Sequence, residues 1–114
     1  MENVFNLDKR RFKALANASG LSNSETIFSY RQNGNLITGE YQGGEIEFGN
    51  IIGKYIPPQT IELCFQCKTK DHEILSGKSK GTIQKNSSGK LNISFNWQWL
   101  SGAEGSGESY YEEI

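Results

Sequence analysis

Two cysteines at a three-residue step, Cys64-Phe65-Gln66-Cys67, are the first residues whose spacing could do chemistry. A redox dithiol or half a zinc site uses that step, because a turn or a helix start lets the two sulfurs converge. Here the motif lies within residues 60–69, where Ile61, Leu63, Phe65 and Cys67 alternate with Glu62, Cys64 and Gln66. That alternation is a strand pattern, and in a strand positions three apart point to opposite faces. Two structural thiols that neither bridge nor bind metal are expected. His72 is the only histidine. It falls in a Lys70-Asp71-His72 turn, where a solvated side chain is expected and not the base of a catalytic triad. Carboxylates are plentiful at Glu40, Glu45, Glu47, Glu62, Glu112 and Glu113, but only proximity in sequence pairs them. Glu112 and Glu113 are adjacent in a strand, so only one of them points inward. No catalytic residue, metal site or cofactor is assigned.

Arg31-Gln32-Asn33-Gly34-Asn35-Leu36 approaches the Arg/Gln-x-x-Gly-x-Gly/Ala loop that holds the pyrophosphate of acetyl-coenzyme A, and breaks at Leu36. It also sits in a hairpin, with no helix N-terminus to turn amides toward phosphate. The other glycine-rich stretches lack a following helix or a P-loop lysine.

The positioning elements are read from alternation. Asn96-Trp97-Gln98-Trp99 sets both tryptophans two residues apart, so they share one face of a strand. Leu91, Ile93 and Phe95 continue that face, with Asn92, Ser94, Asn96 and Gln98 on the other. Seven further strands are expected: 11–17, 26–32, 36–41, 45–55, 60–69, 72–84 and 108–114. Turn signals separate them: Asn17 to Gly20 with Asn23, Asn33-Gly34, Gln42-Gly43-Gly44, Pro57-Pro58, Lys70-Asp71, Asn86 to Gly89, and Ser101 to Gly107. Asn33-Gly34 is expected as a type I′ turn. Pairs of glycines four apart, Gly49 with Gly53 and Gly77 with Gly81, suit the bends of barrel corners. Short hairpins throughout give an antiparallel meander, and closure removes its two exposed edges. The expected fold is therefore all-β: one eight-stranded antiparallel up-and-down barrel over residues 1–114. Residues 1–10 form an N-terminal arm that lies across an open end.

Residue size suggests that Phe28, Tyr30, Ile46, Phe48, Leu63, Phe65, Trp97 and Trp99 form the dominant inner face. An eight-stranded barrel is just wide enough to be filled by side chains or to hold one small ligand. A ligand pocket, if present, would draw on Tyr30, Arg31, Glu40, Tyr41, Gln66, Trp97 and Trp99. Arg31 and Glu40 are expected near one another across the Asn33-Gly34 hairpin, where they could equally form an ordinary surface pair.

A net charge of −1 over 114 residues gives no general attraction to phosphate or anionic lipid. Lys9-Arg10-Arg11 and lysines 68, 70, 78 and 80 are too dispersed for a nucleic-acid footprint. No apolar run reaches the ~18 residues of a helical membrane span. Met1-Glu2-Asn3-Val4-Phe5 lacks the basic-then-apolar order of a signal peptide, so a cytoplasmic location is expected. No nucleic-acid or membrane partner is expected, and the sequence gives no oligomeric state.

Four stretches together resemble a known group: Ser24 to Gly34, Gly39 to Ile46, Gly49-Asn50-Ile51-Ile52-Gly53, and Trp97 to Gly102 with Gly107-Glu108-Ser109 and Glu112-Glu113-Ile114. They are similar to a family of small bacterial proteins often labelled N-acetylglutamate synthase. The resemblance covers most of residues 10–114. It implies a bacterial cytosolic protein with a calycin-like barrel, and brings no catalytic residues to carry over. That family's middle section usually reads Arg-Tyr-x-His and later Gly-x-Cys. Here Glu62 to Cys67 and Gly77-Lys78-Ser79 stand instead. Three readings of function follow: a binding module for a small apolar or aromatic-containing ligand, an enzyme of acetyl transfer to glutamate as the label implies, or a packed structural barrel without ligand. No motif supports the enzyme.

Overall fold

The computed structural model describes residues 5–17, 25–102 and 105–114. It is a closed barrel of eight antiparallel strands in sequence order. The strands are β1 (Arg10–Asn17), β2 (Ile27–Asn33), β3 (Leu36–Gly43), β4 (Ile46–Ile56), β5 (Thr60–Thr69), β6 (Ile74–Lys85), β7 (Leu91–Ser101) and β8 (Ser106–Glu113). The up-and-down barrel expected from alternation is the fold. β6 starts later than expected because His72, at φ 68°, and Glu73 belong to the turn. The expected turn at Gly20 and Asn23, residues 1–4 of the arm, and Ala103-Glu104 lie outside the described residues.

Antiparallel order sorts the connections between two ends. Residues 34–35, 57–59 and 86–90 lie at one end with the N-terminal arm. Residues 44–45 and 70–73, with Gly102 and Gly105, lie at the other. At the first end Leu7, Phe12, Ile37 and Ile61 are wholly buried, and Ile83, Ile93, Leu91 and Tyr55 are nearly so. The arm is strapped there by backbone donors: the Phe5 N–H to Tyr55 Oη at 3.0 Å, and the Leu7 N–H to Gln32 Oε1 at 2.9 Å. Tyr55 in turn donates to the Pro58 carbonyl. This end is sealed.

Two expectations are corrected. Phe48 is expected inside with Ile46, and Ile52 shares their parity. A bulge between Ile46 and Phe48 shifts the register against β5, and one extra residue reverses every later side chain. Gly49, Ile51 and Tyr55 are therefore buried, while Phe48 and Ile52 are 43% and 60% exposed. The β2–β3 hairpin turns on Gly34-Asn35, with Asn33 already paired to Leu36. Among its residues only Gly34 has positive φ, at 63°. That is the pattern of a II′ turn, where the first central residue alone needs glycine.

The inward glycines have a packing role. Tyr30 pairs with Gly39, Tyr41 with Gly49, Phe65 with Gly77 and Phe95 with Gly81 across neighbouring strands. Each ring lies over the glycine opposite: a Cβ on Gly81 would sit 2.6 Å from the Phe95 ring, and one on Gly77 2.5 Å from Phe65. A narrow barrel fits this many large side chains only by pairing each with a missing one. Gly81→Ala should therefore lower stability by about 1–3 kcal/mol, the usual range for overpacking. An unchanged urea midpoint would show that the Phe95 ring simply moves aside.

The barrel closes where β8 meets β1, and Glu113 joins three strands there. Its Oε1 accepts the Leu91 N–H at 2.9 Å and its Oε2 accepts Arg10 Nη1 at 2.7 Å. Burial disfavours the ionised carboxyl, but the Leu91 N–H and Arg10 outweigh it and hold the group below its usual range. A depressed folded value means the stabilisation is full above the ordinary carboxylate pKa, roughly 4.3. It is lost as pH falls through the folded value. Glu113→Gln should cost about 1–2 kcal/mol near neutrality, as charge-assisted bonds do. That deficit should vanish in acid, so urea midpoints of parent and variant that stay parallel from neutral to acid pH would refute the contribution.

Candidate functional site

Rings dominate the interior toward the other end. Phe28 stacks on Tyr41, with centroids 4.8 Å apart and planes 14° apart. Tyr111 meets Phe28 edge-on at 4.9 Å and Phe95 at 5.5 Å. Trp99 meets Phe65 at 5.7 Å and Trp97 at 5.6 Å, both edge-on. The two tryptophans thus lie side by side on the inner face of β7, as their spacing implies. Trp97 is buried, while Trp99 is half-buried nearer that end. Among these walls lies a pocket of about 60 Å³. That is well short of the ~300 Å³ of an ordinary ligand pocket.

Polar groups enter this wall sparingly: the phenols of Tyr30, Tyr41 and Tyr111, the Cys67 thiol, and the hydroxyls of Ser79 and Ser109. No Asp, Glu, Lys, Arg or His lines it among the described residues. Burial pushes the Tyr30 phenol far above its ordinary range, with Tyr111 adding to the effect. Tyr41 is raised by burial and by its neighbour Cys67. The Cys67 thiol is raised by burial, which outweighs its hydrogen bond with Tyr41. All three are neutral at neutral pH, and a protonated thiol is a poor nucleophile and a poor metal ligand.

Cys64 is exposed and Cys67 buried, both as free thiols, as expected from opposite strand faces. Among the described residues no group of three His, Cys, Asp or Glu gathers as a metal site would need. No helix there is long and apolar enough to cross a membrane.

The seven residues assigned from sequence divide by parity. Tyr30, Tyr41, Trp97 and Trp99 meet in the pocket. Arg31, Glu40 and Gln66 are exposed on the outer wall, along an open groove with Arg11, Ser29 and Asn50. Tyr30 and Arg31 are consecutive, as are Glu40 and Tyr41, and a strand sends consecutive residues to opposite faces. Register sets Arg31 opposite Thr38 and Glu40 opposite Ser29. Sequence reading missed Ile51, Ser79, Ser109 and Tyr111 as lining. For the last two the signal was the alternation Gly107-x-Ser109-x-Tyr111, legible once the inner face of β8 is fixed.

Comparison with protein families matches residues 5–114 to the family described as avidin-like protein. Neither the curated proteins nor the solved structures give a match. The acetylglutamate synthase label finds no support in these comparisons.

Proposed function

The chain belongs to the avidin-like family, and from that premise we propose that it is a small-molecule binding module with its site at the open end of the barrel. One observation carries the reading. The arm and a shell of fully buried aliphatic residues seal one end, whereas the other keeps a ring-lined space among aromatic walls. A barrel needed only as a scaffold gains nothing by leaving polar hydroxyls beside such a space. The ligand is small and mainly apolar, with a flat or aromatic part suited to Trp97, Trp99 and Phe65. At about 60 Å³ the space admits only a head group as it stands. The rest of the ligand packs against the half-buried Trp99 or displaces its ring.

The small volume also favours a second reading, a filled barrel with no ligand. Native mass spectrometry of freshly purified protein, with tryptophan emission followed across small aromatic compounds, separates the two. A retained mass or a saturable emission change supports binding. No retained mass, with emission and melting temperature unmoved by every compound, establishes the filled barrel.

A further inference from the structure

Ser109 carries the one fully buried side-chain polar atom without a hydrogen-bond partner among the described residues. It sits on the inner face of β8, opposite Phe95 and 1% exposed. Its Oγ is buried and has no hydrogen-bond partner among the described residues. Buried hydroxyls are nearly always partnered, since an unmade bond costs their full desolvation. Alanine would fit the same place without that cost. The hydroxyl borders the 60 Å³ space.

We infer that Ser109 is the polar anchor of the ligand site, and that the ligand is an uncharged molecule carrying one hydrogen-bonding head group on an apolar or aromatic body. The inference rests on the binding reading above and adds what is bound. The head group, an alcohol or amide in size, enters the space and bonds to Ser109 Oγ. The body lies toward the open end against Trp99 and Phe65. Charge is excluded by the lining. Among the described residues it has no Asp, Glu, Lys, Arg or His, and burying an unpaired ion is strongly unfavourable. The phenols and the thiol that share the wall are neutral as well, and so are matched to a neutral guest.

Benzyl alcohol and benzamide serve as neutral probes, toluene as the apolar control and benzoate as the charged one. Binding is read by tryptophan emission and by protein NMR, on the parent and on Ser109→Ala. Both neutral probes should bind the parent more tightly than toluene, and benzoate should not bind. In Ser109→Ala the neutral probes should weaken by about 3- to 10-fold, the worth of one hydrogen bond, with toluene unchanged. The variant's melting temperature should hold or rise, because it removes an unpaired hydroxyl. A lower melting temperature would mean that the hydroxyl has a structural partner, and would overturn the assignment. Toluene binding as well as benzyl alcohol, with no effect of Ser109→Ala, overturns the anchor and leaves the binding reading intact. Benzoate binding as tightly as benzamide overturns the charge rule. If no probe binds the parent, the binding reading fails and this inference with it.

Discussion

Trp97→Ala is expected to lower the unfolding free energy by about 3–5 kcal/mol, as other large-to-small aromatic changes in cores do. Trp97 is 7% exposed near the middle of β7. Register sets it between Ser79 and Gly107, two small residues that leave room for the indole. Alanine has nothing to collapse onto there, so the cavity persists. A domain of this size commonly has only ~5–15 kcal/mol in all, and the variant should unfold at a much lower urea midpoint. Trp99, half-buried with some surface already wet, should lose less on the same change. Trp97→Phe extends the test, because a packed site feels the lost volume and a roomy one hardly does. Midpoints equal to the parent in both Trp97 variants would mean that the indole occupies open space rather than core. The filled-barrel reading would then be excluded.

What the sequence made legible follows from the period of a strand. Alternation is local, so the Leu91, Ile93, Phe95, Trp97, Trp99 face could be read without knowing any partner, and that face is the one turned inward. The bulge at Ile46 and Phe48 could not be read in the same way. A bulge is a mismatch between two strands, here β4 against β5, and neither strand carries it alone. Phe48 was therefore assigned to the core by its size. The glycines have a second role that no strand shows alone. Gly49 and Gly53, or Gly77 and Gly81, look like weak points for bending when each strand is read alone. Set against β3, β5 and β7, they are the spaces that Tyr41, Leu63, Phe65 and Phe95 occupy. For the site, choosing polar residues near the rings brought in Arg31, Glu40 and Gln66, whose parity sends them outside. Ser109 went unnoticed because a serine between Glu108 and Tyr110 has no distinguishing type. Its significance lies in the bond it does not make, which only coordinates reveal.

Leu7→Ala should be nearly as costly as Trp97→Ala, about 2–5 kcal/mol for a fully buried leucine, although Leu7 lies outside every strand. Its side chain is 0% exposed. Its backbone is fixed on both sides, the N–H by Gln32 Oε1 at 2.9 Å and the carbonyl by the Arg10 N–H at 3.1 Å. The Gln32 N–H completes the clasp by donating to Asp8 Oδ1 at 3.0 Å. With that backbone held, the shortened side chain cannot be replaced by a shift of the arm, and the sealed end gains a cavity beside the aliphatic shell. The effect should stay at that end. Trp97 and Trp99 belong to the opposite half of the barrel, so native tryptophan emission of Leu7→Ala should match the parent while its urea midpoint falls. An unchanged midpoint would mean that the arm merely rests on the barrel. A lower midpoint with red-shifted emission would mean that water let in at the sealed end reaches the rings, and that the two halves are one continuous core.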